Sequence, residues 1–314
     1  MKAIVVTDRT AGTSGMRLAE RPDPDTARLA GLEGANYGDV VVEVHASGFT
    51  GNELEWPSTW IDRLGRDRTP SIPGHEVAGV VASLSYGAAG LSVGQRVFGL
   101  TDWTRDGTLA EYVVVEARNL APLPATVDFT TGAGAAMAGL TAWQALFEHG
   151  HLLAGQSVLV HGAAGVVGSM ATQLARQHGA YVIGTGRAAH RRAALGFGAQ
   201  EFVDLDNDTL EDAGGVDLVL DVLGGALGHR SARLVRAGGT LVSVVGSPEA
   251  RPAGGRAVDF VVVPERAQLG EIARRLQHGQ LRTNIGQVAS LDDAVAAFNP
   301  TERIAGKTII RARP

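Results

Sequence analysis

The stretch VLVHGAAGVVGSMATQLA, residues 158–175, sets the reading of the whole chain. An apolar run ends at Val160. Gly162, Gly165 and Gly168 follow at three-residue spacing, and a helical pattern begins at once. Gly162 permits a tight strand-to-helix turn. Gly165 lets a pyrophosphate approach the backbone with no Cβ in the way, and Gly168 lets the helix lie close against the strand. The start of the helix then presents N–H groups that have no partner within it. Strand, glycines and helix in this order point to a dinucleotide cradle over Gly162, Ala163, Ala164, Gly165, Val166, Val167 and Gly168. The plain alternative is a structural turn.

The following strand, YVIGTGR (181–187), bears on the choice of dinucleotide. In an NAD site an Asp or Glu ends this strand and holds the ribose 2′-hydroxyl. Thr185 stands where the carboxylate is expected, followed by Gly186 and Arg187. Without the acid nothing repels a 2′-phosphate, and an arginine pairs with one bidentately. Arg191 and Arg192 lie just beyond. The expectation is NADP, as NADPH.

Outward from the glycines, residues 126–263 alternate helices and strands. Helical patterns cover 131–149 and 165–179; apolar strands are expected at 157–162, 181–185, 201–205, 216–224 and 240–246. Such β–α–β repetition predicts a mostly parallel sheet covered on both sides, a Rossmann-type NADP(H)-binding domain. Residues 1–125 read as mostly β, with strands at 3–6, 40–48, 77–84, 95–100 and within 108–120, and turns such as TPSIPG (69–74) and TRDG (104–107). Residues 264–314 hold a helix, PERAQLGEIARRLQHG, a short helix LDDAVAAF (291–298) and a last strand KTIIRA (307–312), which can return to the first domain. The fold class is α/β, a β-rich domain joined to a parallel-sheet domain.

Composition narrows the function. The chain has 314 residues, 45% hydrophobic and 19% charged, with a net charge of −5 from 28 basic and 33 acidic side chains. Interspersed charges of slightly acidic balance argue against nucleic-acid or anionic-membrane binding. With no cysteine, disulfides, thiol nucleophiles and cysteine-ligated metals are excluded. No run approaches the length of a membrane span, and MKAIVVTD lacks the features of a signal peptide, so a cytoplasmic protein is expected.

Taken together, IPGHEVAGVV (72–81), VGQRVFGL (93–100), AEYVVV (110–115), GLTAWQAL (139–146), HGAAGVVG (161–168), DVLGG (221–225) and GKTII (306–310) resemble the medium-chain dehydrogenase/reductase superfamily, in its zinc-free quinone oxidoreductase branch. The resemblance covers the whole chain. It implies a GroES-like first domain, 1–125, completed by 264–314, and a homodimer joined through the edge of the nucleotide-domain sheet. By that analogy Phe260–Val263 is the edge strand, with Phe260 and Val262 near the nicotinamide. Thr141 and the loops carrying Leu223, Val245 and Gly246 match further cofactor contacts, as does Lys307.

Zinc-dependent relatives carry a catalytic cysteine where this chain has Thr50, and a histidine where it has His75. No cysteine is available for the third position, where Met137 lies nearby. One histidine does not hold a catalytic zinc, which takes three protein ligands, so no metal is expected. Lacking that Lewis acid, the chain is suited to a conjugated acceptor, a quinone or an α,β-unsaturated carbonyl, which takes hydride at a vinylogous carbon and needs hydrogen-bond donors for its oxygen. Thr50 is the candidate donor, and many quinone reductases have Asn-Pro where Thr50-Gly51 stands here. Asn52, Glu53, Trp56, Trp60 and Trp103 are candidate walls for a planar small molecule. Two other functions use the same motifs: an enoyl-thioester reductase of lipid or polyketide metabolism, and a non-catalytic NADPH-binding structural or sensor protein.

Overall fold

The computed structural model describes residues 1–24, 37–302 and 304–313. The chain divides into two compact units: Met1–Met137 with Pro264–Gln280 and Ile285–Pro314, and Ala138–Val263 with Leu281–Asn284.

Among the described residues the first unit holds nine strands: β1 Lys2–Val5, β2 Arg17–Glu20, β3 Asp39–Gly48, β4 Glu76–Leu84, β5 Arg96–Leu100, β6 Tyr112–Glu116 and β7 Leu120–Pro122, with two more from the end of the chain. In the second unit follow β8 Ser157–Val160, β9 Tyr181–Gly186, β10 Glu201–Asp204, β11 Val216–Asp221, β12 Val235–Ser243 and β13 Arg256–Asp259. Last come β14 Ile285–Ser290 and β15 Lys307–Arg311, which belong to the first unit.

In the first unit β1 pairs β2, and a seven-stranded sheet runs β14-β15-β3-β4-β5-β7 with β6 also on β3. β3 is long and rich in valine, as suits a pleated central strand. Val40, Val42 and Val44 point into one apolar cluster with Val77, Val81, Val97, Val113 and Val115. Gly79 is where β4 crosses β3 most closely: a Cβ there would lie 2.1 Å from the Glu43 carbonyl oxygen. The terminal strand does return to this sheet, antiparallel to β3, with Ile309 opposite Gly48 and Ile310 opposite Ser47. Sequence patterning did not foresee β2, β7 or β14. β7 has only three residues, and β14 alternates half-buried with exposed positions, so neither offers an apolar run.

The second unit is built on one parallel sheet, ordered β10-β9-β8-β11-β12-β13. In order of appearance within the unit this is 3-2-1-4-5-6, the doubly wound dinucleotide-binding order. Val158, Leu159 and Val160 of the central strand are fully buried, as expected of a strand covered on both faces. The helix Val166–Gln177 packs on it through Met170, Ala171 and Leu174. Two expectations shift. The helical stretch 131–149 is an α-helix, Phe129–Trp143, followed by a π-helical turn, Gln144–His149, closed by the Gly150 N–H on the Ala145 carbonyl at 2.9 Å. The edge strand is Arg256–Asp259 rather than Phe260–Val263. The Val263 N–H and carbonyl instead meet the Gln144 side-chain amide, at 3.1 and 2.8 Å, so this backbone is satisfied without a ladder. Among the described residues no helix is long and apolar enough to cross a membrane.

Candidate functional site

In the second unit the glycines meet the demands read from their spacing. Gly162 has φ of +60°. Gly165 caps the helix, and the first intrahelical bond runs from the Ser169 N–H to the Gly165 carbonyl at 2.9 Å. The N–H groups of Val166, Val167 and Gly168 therefore precede the ladder, at the positive end of the helix dipole. A Cβ on Gly168 would fall 2.1 Å from the Gly162 carbonyl oxygen, and one on Gly165 would lie 3.0 Å from it. The loop has folded onto the helix start with space only for hydrogen. A dinucleotide phosphate fits such a cradle; Gly162, Ala163, Ala164, Gly165, Val166, Val167 and Gly168 are the residues that would hold it.

Two supports were not legible in the motif. The Asn284 side-chain amide donates to the Ala164 carbonyl at 2.7 Å. Gln173 donates to the carbonyls of Ser169 and Arg282 and accepts the Arg282 N–H, each at 3.0 Å. Segment 281–284 thus returns to brace the cradle. No local signal marks it, because its partners lie more than a hundred residues away.

The end of β9 refines the reading of Thr185. Its side chain is buried and turned toward His161, with Oγ1 2.8 Å from Nδ1. The strand continues one residue further, to Gly186, where a Cβ would meet the Phe202 ring at 3.3 Å and His190 Nδ1 at 3.4 Å. The terminal position has no side chain at all, and Arg187 follows it, exposed. At the end of β11 the buried Asp221 accepts the N–H groups of Leu223 and Gly224, at 2.9 and 2.8 Å. A cavity of about 180 Å³ opens there, lined by Gly224, Ser243, Val245 and Gly246 among others. Leu223 and Val245 are more than half exposed, Thr141 and Val262 are buried, and Phe260 is half-buried with its ring 4.4 Å from that of His149.

In the first unit the candidate residues gather around His75. Its Nδ1 lies 3.0 Å from Thr101 Oγ1, and its Nε2 lies 3.5 Å from Glu53. Trp56 stacks over the imidazole at 6.1 Å and 13°, and Trp103 meets it edge-on at 4.8 Å. Burial, with Arg68 as a second cause, pushes His75 down to about 3, so the ring is neutral. Glu53 is fully buried and accepts the Gly74 N–H. Burial outweighs that bond and pushes its carboxyl up to about 8. Thr50 is half-buried, its hydroxyl 3.5 Å from the Met137 sulfur. Asn52 is exposed. Trp60 does not join the group. It is 7% exposed, donates its indole N–H to the Leu54 carbonyl at 2.8 Å and packs in the core with Phe49, Leu54 and Ile72.

Lys307 is also buried, where it forms an ion pair with Glu76. Glu76 in turn accepts the Met137 N–H at 3.3 Å, and burial raises its carboxyl above the usual range. A Cβ on Gly48 would lie 2.8 Å from Lys307 Cε, so the lysine reaches Glu76 only because β3 ends in glycine. These donors do not fit a catalytic zinc. A hydroxyl, a thioether and one imidazole replace the usual set, and of the two buried carboxyls nearby Glu76 is matched by Lys307 while burial favours the neutral form of Glu53. Among the described residues no group of three or more His, Asp or Glu is placed to hold a metal ion.

Known proteins agree with this architecture. Residues 36–125 match the family model of the alcohol dehydrogenase GroES-like domain, and residues 197–310 that of the zinc-binding dehydrogenases. The chain belongs to the medium-chain dehydrogenase/reductase superfamily, in its quinone oxidoreductase-like branch. The quinone oxidoreductase of Rattus norvegicus is 34% identical over 217 residues, which cover 65% of this chain and 64% of that protein. The match thus spans slightly less than two thirds of that relative. The 2-methylene-furan-3-one reductase of Solanum lycopersicum is 31% identical over 270 residues, 80% of this chain and 68% of that one. Among solved structures, the quinone oxidoreductase from Coxiella burnetii shares the fold, with a TM-score of 0.86 at 24% identity over 100% of this chain and 99% of that chain.

Proposed function

We propose that this chain is an NADPH-dependent, zinc-independent oxidoreductase that reduces a planar conjugated acceptor, a quinone or an α,β-unsaturated carbonyl. The observation that carries the reading is the contact between Gly162 and Gly168, which leaves the glycine cradle free of side chains where a pyrophosphate would lie. When bound, NADPH supplies the hydride. The chain's own residues bind and orient. The N–H groups of Val166, Val167 and Gly168 take the pyrophosphate. Arg187, exposed beyond a strand end without a carboxylate, takes the 2′-phosphate. Thr141, Leu223, Val245, Gly246, Phe260, Val262 and Lys307 complete the proposed cofactor contacts. The Thr50 hydroxyl donates to the acceptor oxygen, and the Trp56 and Trp103 rings, set at 82° to each other, offer apolar walls. The tomato relative is named for a conjugated exocyclic enone, which fits this acceptor class. The same reading proposes a homodimer: Val261 and Val263, 74% and 56% exposed, follow the edge strand β13 and suit burial against a second copy.

Stopped-flow oxidation of NADPH with a panel of quinones, enones and enoyl thioesters tests the proposal. Turnover with the first two, unaffected by chelators, is expected. Turnover confined to enoyl thioesters would move the acceptor class, and tight NADPH binding without turnover would make this a binding protein. Arg187→Ala is expected to weaken NADPH about tenfold, as loss of one charged pair implies, and to leave NADH unchanged in calorimetry. Equal wild-type affinities for the two would remove the cofactor preference.

A further inference from the structure

His161 lies immediately before Gly162 and is fully buried. The Ser231 hydroxyl donates to the Leu227 carbonyl at 2.7 Å. Its oxygen is then an acceptor toward His161 Nε2, 2.6 Å away, so Nε2 carries the proton. Burial pushes the imidazole down to about 4 and keeps it neutral. A neutral ring with its proton on Nε2 has a bare Nδ1, and the Thr185 hydroxyl donates to it at 2.8 Å. One tautomer follows from the network. Thr185 also holds the loop through its main chain, for its carbonyl accepts the Ala163 N–H at 3.2 Å. The His161 N–H is bound to the Leu220 carbonyl at 3.0 Å. The ends of β8, β9 and β11 and the helix Gly225–Ser231 are thereby joined beneath the glycine cradle.

We infer that Thr185 and His161 are positioning residues: bonded to each other and to Ser231, they hold the start of the glycine loop in the geometry that receives the dinucleotide, and Thr185 does not touch the ribose. The inference rests on the proposed cofactor site, and it changes what Thr185 does there. The Thr185 side chain is fully buried and its one hydroxyl proton is committed to the imidazole, so it offers a ligand neither exposed surface nor a donor. Valine keeps the shape of threonine but leaves Nδ1 unpaired, whereas serine keeps the donor.

The test has two readouts. Nitrogen NMR of the wild-type imidazole should show an unprotonated Nδ1 and a protonated Nε2 across the neutral range; a proton on Nδ1 would overturn the network. Hydrogen exchange of the loop amides at 162–165 and calorimetric NADPH titration are then compared among wild type, Thr185→Val and Thr185→Ser. Thr185→Val should speed loop exchange and weaken NADPH about tenfold, the scale of one lost buried hydrogen bond, and Thr185→Ser should restore both to within about twofold. A lowered melting temperature with wild-type loop exchange and affinity would reduce the pair to a packing role. If wild type binds NADPH and the variants match it, only this inference fails. If wild type binds no dinucleotide, the reading of the site fails with it.

Discussion

His75 and His161 are both buried imidazoles, 2% and 0% exposed, and burial pushes both well below the usual histidine range. Their neighbours differ. His161 sits between two hydroxyls and under a loop whose working groups are backbone N–H donors. His75 sits among a buried carboxyl and two indoles, in a unit whose candidate groups are side chains. In the parallel-sheet unit, side chains aim a backbone. In the GroES-like unit, backbone turns hold side chains, as the Gly74 N–H holds Glu53. Damage at the two sites therefore takes different forms: a single Cβ in the glycine loop, a single unmatched charge among the buried side chains near His75.

The largest effect is expected from the unmatched charge. Lys307→Met would leave Glu76 buried without its partner, costing about 3–5 kcal/mol. Adding Glu76→Gln should recover most of it in urea unfolding; if the double variant is no more stable than the single one, the pair is not coupled. Gly168→Ala is next. Its Cβ would overlap the Gly162 carbonyl, so a loss of about 1–3 kcal/mol is expected, along with a loss of NADPH affinity larger than the stability change alone would produce. Unchanged affinity would mean that the cradle is not the cofactor site.

A third effect separates the regions by pH. Glu53 keeps its proton up to about 8 when folded and loses it near 4.5 when unfolded. The unfolded chain binds fewer protons between these values, so this group's contribution to stability falls as pH rises, by up to about 1.4 kcal/mol per pH unit, and levels off above 8. Glu53→Gln should flatten that decline in unfolding experiments at several pH values; an unchanged slope would assign it to other groups. The smallest effect belongs to Asn284→Ala, which removes one bond to the Ala164 carbonyl. About 1 kcal/mol is expected, read as a several-fold rise in the NADPH dissociation constant.

What was readable in the residues follows from the range of the forces involved. The period of apolar positions marked most strands, and the spacing of Gly162, Gly165 and Gly168 located the tight turn before the helix, because both are consequences of local backbone geometry. Motifs such as IPGHEVAGVV and GKTII identified the family. Thr185 was read as the end of its strand, which runs one residue further to Gly186, and its bond to His161 was not foreseen, since a strand's sequence does not say which neighbour a side chain will meet. Trp60 looked like a wall and lies in the core.

Amino-acid order alone was enough for the superfamily, for a β-rich domain joined to a mostly parallel sheet, and for the glycine turn before the helix, because these are written in local periodicity and motif. Folding was needed to join Lys307 to Glu76, Asn284 to Ala164, and His161 to Thr185 and Ser231. Those unions depend on chain closure over long separations and on burial, which sets the strength of a charge only after water has been removed.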